Sequence, residues 1–367
     1  MFWFRFRRYD WLPMLNYSSE TSKPSVKKSG FRKHLLLVFS IALSAVLLFL
    51  AFRGVDWHSV GQIVAHARWN LLLLSFAFSP LLPFLRALRW RVLLNAQGQV
   101  GMGTAFWANS AGYLGNSFLP GRAGELIRTL MISKRSTLTA SYVLTTALAE
   151  RASDLLFLIT ASSLALASLP GKPEWLTRAS HTMTVVGVLA LIALALIPKT
   201  ERLINWVLLK TPLNDGIRQK LLNIAGQVRL GVESLHNPAR LMKFLSLTVL
   251  IWTGDVLSSM LIAYILHLSL TFAQALLLVT ALGLSSAIPS APGYVGVFQF
   301  VAVTVLVPFG FTRSDALSYI LMLQAINYVV TSALGLLALW QLNLSLASFK
   351  NAEAEQPYGT NSSNLTV

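Results

Sequence analysis

The chain has 367 residues, of which 54% are apolar and only 12% are charged, and its formal net charge is +16. Soluble domains contain about 25% charged residues, so this composition excludes a protein whose whole surface faces water. The absence of cysteine excludes disulfides, thiolate nucleophiles and cysteine metal sites.

The amino-terminal segment is basic. Residues 1–34 carry eight Lys and Arg before the first apolar run, at residues 35–52. That run is long enough to cross a bilayer, and no small-residue cleavage site follows it. We therefore interpret residues 35–52 as a retained first span and residues 1–34 as a basic cytoplasmic tail.

Seven further apolar segments follow the first one. They lie at residues 69–85, 103–119, 138–169, 181–197, 244–266, 272–309 and 314–340. They predict an all-α fold, a polytopic integral membrane helix bundle of about six to eight spans with two broken or re-entrant segments. The flippase-like membrane domain discussed below would cover residues 35–340, and the polar residues 341–367 are expected to form a disordered cytoplasmic tail.

Two of these segments are interrupted. Residues 103–119 are rich in Gly and Asn and run directly into a Pro-Gly-Arg sequence, and residues 272–309 are cut by a Ser-, Pro- and Gly-rich stretch. Broken segments in corresponding positions of two halves indicate the midplane site of a transporter. The alternative, in which proline only kinks two ordinary spans, is equally compatible with the pattern.

The distribution of Lys and Arg distinguishes the possible threadings of residues 103–119. If this segment re-enters from the cytoplasm, 24 Lys and Arg are cytoplasmic and five are external, as the positive-inside rule requires. If it crosses once and residues 138–169 also cross once, the counts become 14 and 15. We therefore favour a re-entrant hairpin, with a mirror-image hairpin at residues 272–309. In the alternative threading residues 103–119 cross once and residues 138–169 cross twice, with a tight turn near Glu150.

Two loops have amphipathic patterns. In residues 55–68 the apolar side chains fall on one helical face, which predicts a helix on the outer membrane surface. Residues 198–243 carry eight basic and three acidic residues among apolar ones, which favours a cytoplasmic amphipathic loop at the anionic leaflet. A plain amphipathic linker is the alternative for both loops.

The first cluster of charges in an apolar context lies in the sequence PGRAGELIR, residues 120–128. Helical spacing places Glu125 between Arg122 and Arg128 on nearly one face. Because an arginine can bind a phosphate through two parallel hydrogen bonds, we predict that Arg122 and Arg128 bind a lipid phosphate. An interfacial ion pair that caps a helix is the alternative.

The second cluster is formed by Glu150, Arg151 and Asp154. Glu150 and Asp154 share a helical face, and Arg151 can reach Asp154, so the group is either functional or a structural staple between helices. Asp255 has no basic neighbour in sequence and needs a distant partner or a proton. Glu125, Glu150 and Asp154 are predicted to line a hydrated cavity, whereas Asp255 is either a cavity-lining acid or a satisfied helix-packing residue.

Four motifs occur in this order: RALRWRVLL, then GNSFLPGRAGELIR, then Glu-Arg with an Asp three positions after the Arg, and then IPSAPGYVGVFQ. In this order they resemble the flippase-like membrane family typified by the transmembrane domain of lysylphosphatidylglycerol synthases, over roughly residues 35–340. The resemblance implies that the chain moves lipids or lipid-linked groups between leaflets. It also implies functional positions in the broken-helix motifs and charge clusters: Asn116, Pro120, Arg122, Gly124, Glu125, Arg128, Glu150, Arg151, Asp154, Pro289, Pro292, Gly293 and Gly296.

Two features depart from the family pattern. Many relatives have an acid three residues after the last glycine of the second broken-helix motif, where this chain has Gln299, so a proton or cation role there is in doubt. The synthases also carry a soluble aminoacyl-transferase domain after their membrane part. Because only 27 residues follow Trp340, we expect that domain to be absent.

These features predict a lipid translocase in a bacterial-type plasma (inner) membrane, multi-pass, with a cytoplasmic amino terminus. Its expected partners are membrane lipids, anionic or phosphate-bearing, and not nucleic acid. No metal and no cofactor are expected, because the six histidines are scattered without metal-ligand spacing. The alternatives are a membrane glycosyl- or acyl-transferase that uses the same acids as base, and a non-catalytic membrane partner subunit.

Overall fold

The computed structural model describes residues 28–119, 123–168, 237–288 and 290–341, with residues 177–178, 182 and 184–185 between them. Throughout these ranges the chain forms helices and turns without any strand, which confirms the predicted all-α class. Both predicted tails up to residue 27 and from residue 342, nearly all of the predicted span at 181–197, and residues 198–236 of the predicted loop lie outside the described residues.

The amino-terminal part forms four helices, which are α1 (Lys28–Phe52), α2 (Trp57–Ala65), α3 (Trp69–Phe78) and α4 (Leu81–Leu94). Together α3 and α4 form an apolar run of 26 residues, which is long enough to cross a bilayer. The predicted span at 69–85 was therefore too short. Arg86 and Arg89 interrupt the apolar pattern without ending the helix.

Three helices follow, which are α5 (Met102–Phe118), α6 (Ala123–Arg135) and α7 (Ala140–Ser168). α7 is continuous over 29 residues, and Glu150 lies within it. The chain does not turn back at Glu150. The alternative threading, in which residues 138–169 cross twice, is therefore wrong.

The carboxyl-terminal part contains α8 (Pro238–Ile265), α9 (Phe272–Ser285), α10 (Val297–Leu306) and α11 (Arg313–Gln341). Thr271 caps α9 and Asn237 caps α8, each by accepting hydrogen bonds from backbone N–H groups of the first turn. Short 3₁₀ turns lie on both sides of α10, at Pro292–Tyr294 and Val307–Phe309.

α5 and α6 form an antiparallel hairpin. Gly124, at the start of α6, packs on the backbone of Gly112, and its N–H donates to Asn116 Oδ1 over 3.0 Å. Farther from the break, Arg128 of α6 donates to Asn109 of α5 over 3.1 Å. Since the contacts progress outward from the break, the start of α5 and the end of α6 lie at the same end of the bundle. A hairpin is therefore present, but its bounds differ from the prediction. Residues 103–119 form only its first limb, and the returning limb is α6, whose residues the predicted threading assigned to the cytoplasm. That the tip stops inside a bilayer stays a prediction.

α9 and α10 form a second antiparallel hairpin, which opens at the opposite end of the bundle. Leu270, just before α9, and Leu306, at the end of α10, belong to one hydrophobic core with Ala67 and Ile265. At this end Ser314 Oγ, in the first turn of α11, donates to the carbonyl oxygen that precedes α2 over 3.1 Å. We call this end the α2 end, and we call the end with the start of α5 the α5 end.

The tips of the two hairpins come together beside α11. The ring of Phe118, the last residue of α5, lies 6.3 Å from the ring of Tyr328, and the Tyr328 hydroxyl donates to the carbonyl of Gly293 over 2.6 Å. Tyr328 is the sixteenth of the 29 residues of α11. Both helix breaks therefore lie near the middle of this long helix. That they form the midplane site of a transporter stays a prediction.

Among the described residues, four helical stretches are long and apolar enough to cross a membrane: Trp69–Leu94, Pro238–Ile265, Pro292–Phe309 and Arg313–Gln341. A fifth results if α1 and α2, bent by 83°, are counted as one unit. These stretches agree with the predicted polytopic membrane protein. The predicted number of six to eight spans is not established by the described residues.

The predicted surface helix is present as α2. Asp56 caps it, and hydrogen bonds from Ser59 and His58 to the Asp56 carboxylate lower the pKa of that group. Val60 is buried, whereas the polar side of the helix is exposed, as the amphipathic pattern indicated. Its position on the outer surface of a membrane stays a prediction.

Candidate functional site

A buried arginine of α4 is bound by two acids of α7. Arg89 donates through Nη1 and Nη2 to the two carboxylate oxygens of Asp154, over 2.5 and 2.9 Å, and through Nη2 to Glu150 Oε1 over 2.9 Å. Glu150 and Asp154 lie four residues apart and therefore share one face of α7, opposite α4. We call Arg89 with its two acids, Glu150 and Asp154, the fork. Arg89 is only 1% exposed, so the fork is removed from solvent.

A second group joins the hairpin of α5 and α6 to α7. Glu125 accepts from Arg128 Nε over 2.7 Å and from Arg151 Nη2 over 2.9 Å, so its carboxylate lies between two guanidinium groups. Arg128 also reaches Glu150 Oε2 over 3.1 Å, which connects this group to the first one. We call Glu125, Arg128 and Arg151 the carboxylate clamp.

A third group connects α4 to α8. Arg86, three residues before Arg89 and on the same face of α4, pairs with Asp255. Asp255 was expected to need a distant partner or a proton, and the structure provides the partner. On the same face of α8, Trp252 Nε1 donates to Asp154 Oδ1 over 2.9 Å, which links α8 to the fork on α7.

The described network is balanced in charge, since four arginines (Arg86, Arg89, Arg128 and Arg151) meet four acids (Glu125, Glu150, Asp154 and Asp255). Isolated charges in an apolar interior cost several kcal/mol each, and pairing with hydrogen bonds offsets that cost. Asp154 is the fifteenth of the 29 residues of α7, so the network lies at mid-depth of the bundle.

The network is most accessible at Arg151. The side chain of Arg151 is 33% exposed and that of Glu125 is 19% exposed, whereas the side chains of Arg128 and Arg89 are each 2% exposed. A ligand that approaches the network therefore meets the carboxylate clamp before it meets the fork at Arg89. Arg122, the other predicted phosphate-binding residue, lies outside the described residues, as does Pro120.

The predicted broken-helix residues close and shape the two tips. Asn116 and Gly124 join α5 to α6, as described above, and alanine at Gly124 would overlap the backbone of α5. In the second tip Pro292 begins the 3₁₀ turn, and Gly293 and Gly296 have φ values of +73° and +86°, which favour glycine. Pro289 lies outside the described residues.

Gln299, the uncharged residue three positions after Gly296, forms structural contacts at the second tip. Its side-chain oxygen accepts from the N–H of Gly296 over 2.7 Å, and its amide nitrogen donates to Gln324 Oε1 over 2.5 Å. Gln324 in turn donates to the carbonyl of Gly293 over 3.2 Å. The amide therefore holds the second tip against α11 without a charge.

Helical spacing predicted correctly that Glu150, Arg151 and Asp154 form one group. It did not predict the arginine of α4, Arg89, that binds Glu150 and Asp154. The predicted total of 24 cytoplasmic Lys and Arg includes Arg86 and Arg89, and this assignment is wrong, because both lie in α4 and pair with acids of α7 and α8. Their three-residue spacing on one face of an apolar helix was a usable signal. Removing them and the buried Arg128 from the cytoplasmic count leaves the Lys and Arg bias in the same direction.

Comparison with known proteins agrees with this architecture. Residues 37–335 match the family model described as the lysylphosphatidylglycerol synthase TM region. No curated protein and no solved structure matches the chain. The match includes both broken hairpins and every described member of the charge network. The chain therefore belongs to the family of membrane domains named for the transmembrane region of lysylphosphatidylglycerol synthases.

Proposed function

We propose that this protein moves a phosphate-bearing lipid between the leaflets of a membrane, and that the carboxylate clamp is where the lipid phosphate binds. The observation that carries the proposal is the position of Glu125. Its carboxylate is held by guanidinium groups on two sides, Arg128 of α6 and Arg151 of α7, at the edge of a buried network. An anion held in this way occupies a site that a phosphate oxygen would also fit.

The proposed mechanism is an exchange of partners. A lipid phosphate that approaches the exposed side of Arg151 competes with Glu125 for the arginines, while Glu150 continues to neutralise Arg128 from the buried side. Arg122, which lies directly before α6 in sequence, would supply the second fork predicted above. The acyl chains would stay in the bilayer, so that only the headgroup passes through the protein.

The balance of charge explains why such an exchange is feasible. With Glu125 bound to its arginines the described network is neutral, so none of its described members is left as an unpaired ion. When the phosphate replaces Glu125, the displaced carboxylate must reach water. Glu125 is already partly exposed, which makes that movement short.

The transferase alternative is less well supported by these contacts. A general base must accept a proton readily, but Glu125, Glu150, Asp154 and Asp255 each pair with arginine. Both carboxylate oxygens of Glu125, Glu150 and Asp154 already accept hydrogen bonds from arginine, so neither oxygen is free to take a proton from a substrate. The network therefore suits binding of an anion better than abstraction of a proton.

Lipid movement in proteoliposomes that contain only the purified protein tests the proposal. Phospholipid with a fluorescent headgroup is incorporated into both leaflets, and dithionite then bleaches the outer leaflet. If the protein moves lipid, the inner-leaflet fluorescence should also be lost, and mass spectrometry should find the lipids chemically unchanged. Bleaching identical to that of protein-free vesicles would overturn the proposal, and a newly modified lipid would favour the transferase.

A further inference from the structure

A cleft at the α2 end lies far from the charge network in the described structure. It has a volume of about 670 Å³ and lies between the end of α1, the second half of α10 and the start of α11. Its walls are apolar, with Leu50, Phe300 and Val307 among them, and two arginines, Arg53 and Arg313, lie at its edge. Ligand pockets have volumes of about 300–1,000 Å³, so a lipid headgroup and the start of its chains fit here.

The two arginines give the cleft a positive charge that no described acid cancels. Arg313 donates through Nη1 to the carbonyl of Arg53 over 3.1 Å, which holds its guanidinium against the end of α1. Arg53 is exposed, and among the described residues neither arginine forms an ion pair. The nearest acids in sequence, Asp56 and Asp315, bind neighbouring residues in their own caps.

The apolar side of the cleft continues onto a face that suits acyl chains. Leu50 lies on α1 with Val46 and Phe49, which are 56% and 67% exposed. An exposed apolar helix face in a membrane domain is in contact with lipid chains. A cationic edge that borders such a face is complementary to one kind of molecule, which is an amphiphile with an anionic head.

We propose that this cleft binds an anionic phospholipid, with its phosphate at Arg53 and Arg313 and an acyl chain along α1. The site is distinct from the carboxylate clamp and does not depend on lipid movement. A soluble phosphate would use the arginines but would gain nothing from Leu50 and Phe300. Occupancy by a lipid from the leaflet at the α2 end is therefore the form of the proposal to be tested.

Because the chain contains no cysteine, one introduced cysteine can carry a fluorescent label at a single chosen position. Thr304 lines the cleft and is exposed, so Thr304→Cys can carry a small bimane label. The labelled protein is reconstituted with a minor fraction of chain-brominated phosphatidylglycerol or, separately, chain-brominated phosphatidylcholine, since bromine quenches bimane at short range. Each basic residue near the headgroups favours an anionic lipid about fivefold, so brominated phosphatidylglycerol should quench several-fold more strongly.

Arg53→Gln should remove most of that preference, and its side chain has no described hydrogen bond whose loss would unfold the protein. Arg68→Gln is the matched control, because it removes the same charge at the α2 end but outside the cleft, and it should retain the preference. A label at Leu164→Cys on the exposed face of α7 should show little preference for either lipid.

Three outcomes would overturn the proposal. Equal quenching by the two lipids at Thr304→Cys would show that the cleft does not select an anion. An unchanged preference in Arg53→Gln would remove the arginine from the site. Relief of quenching by millimolar inorganic phosphate in the bulk solution would show a soluble anion site instead of a lipid site. Lipid movement is not measured here, so these outcomes are independent of the proposed translocation.

Discussion

At the scale of single residues, the most informative side chain is Glu150. Its two carboxylate oxygens bind different arginines, Arg89 on α4 and Arg128 on α6, at 2.9 and 3.1 Å. It therefore connects the part of the network at Asp154 to the carboxylate clamp. All three side chains are at most 3% exposed, so each charge depends on the others for stabilisation.

Removing the charge of Glu150 should destabilise the protein strongly. Glu150→Gln leaves two buried guanidinium groups short of one acid, and breaking a buried pair costs about 3–5 kcal/mol. Arg89→Gln should cost a similar amount, and the double variant should cost at least about 1 kcal/mol less than the sum because the two sites couple. Unfolding of the purified protein in detergent measures these differences.

Arg53, which is exposed and forms no ion pair with any residue that the structure describes, supplies the reference for these unfolding measurements. Arg53→Gln should change the free energy of unfolding by no more than about 0.5 kcal/mol, as is usual for surface substitutions. If Glu150→Gln proves equally mild, or if the costs of the two network substitutions simply add, the network does not hold the helices together in the way described.

Part of the network could be predicted from the sequence and part could not. Spacing along α7 placed Glu150 and Asp154 on one face, because residues four apart in a helix are neighbours. It could not identify Arg89 as their partner, since the two segments are more than 60 residues apart and sequence spacing carries no information between helices. Asp255 and Arg86, 169 residues apart, show the same limit.

At the scale of helices, the close approach of α5 and α6 depends on glycines at the contact, and Gly124 is the tightest of them. Alanine at Gly124 would overlap the carbonyl oxygen of Gly112 and the side chain of Asn116, so Gly124→Ala should destabilise the fold by about 1–3 kcal/mol. Gly103→Ala is the matched control on α5, where nothing lies within 4 Å of the new methyl group, and its better helix propensity should make it neutral or slightly stabilising. Thermal unfolding in detergent compares them.

Equal stability of the Gly124→Ala and Gly103→Ala variants would contradict the hairpin packing. In that case α5 and α6 could not be as close as the 3.0 Å hydrogen bond from Gly124 to Asn116 requires.

The second break should face water. Ser290 lies just before the 3₁₀ turn and Tyr294 is its last residue, where the backbone leaves the helical path and needs polar partners. Each is replaced by cysteine in turn. We expect both to react with small water-soluble thiol reagents after reconstitution. A cysteine at Leu164, on an exposed apolar face, should stay unreactive as the control. If neither the cysteine at Ser290 nor the one at Tyr294 reacts, the second break is better described as a plain kink in a span.

Both breaks could be predicted from sequence because Gly, Pro and Asn interrupt apolar runs visibly. The positions of the tips relative to each other could not, since they depend on Tyr328 of α11. Its hydroxyl binds Gly293 and its ring contacts Phe118, and an isolated tyrosine in an apolar helix gives no sign of either contact.

At the scale of the whole molecule, the two hairpins open at opposite ends and their tips meet beside α11. The predicted Lys and Arg bias places the α5 end in the cytoplasm. A cysteine at Lys134, which is exposed at the end of α6, should therefore be protected in intact cells from a membrane-impermeant reagent. A cysteine at Gln62, exposed on α2, should be labelled from outside as the matched control.

Labelling of the Lys134 cysteine from outside, with protection of the Gln62 cysteine, would invert the orientation. The fold and the charge network would be unaffected, but lipid would then meet the carboxylate clamp from the other leaflet.

In the proposed mechanism a lipid phosphate exchanges with Glu125 at the carboxylate clamp. The most direct measurement is the initial rate of lipid movement in proteoliposomes for Arg151→Lys and Arg128→Lys, with Arg122→Lys and Glu125→Gln alongside and Arg68→Lys as control. Lysine keeps the charge but loses the paired hydrogen bonds that an arginine fork offers to phosphate. All variants are first checked for folding, because the clamp also stabilises the bundle.

We expect that the arginine-to-lysine variants of the clamp, and Arg122→Lys, fold but lose lipid movement, while Arg68→Lys retains the parental rate. Glu125→Gln should be comparably damaging, since it leaves two guanidinium groups without their shared anion. Parental rates in all of these folded variants would contradict the claim, and the clamp would then be only a staple between α6 and α7.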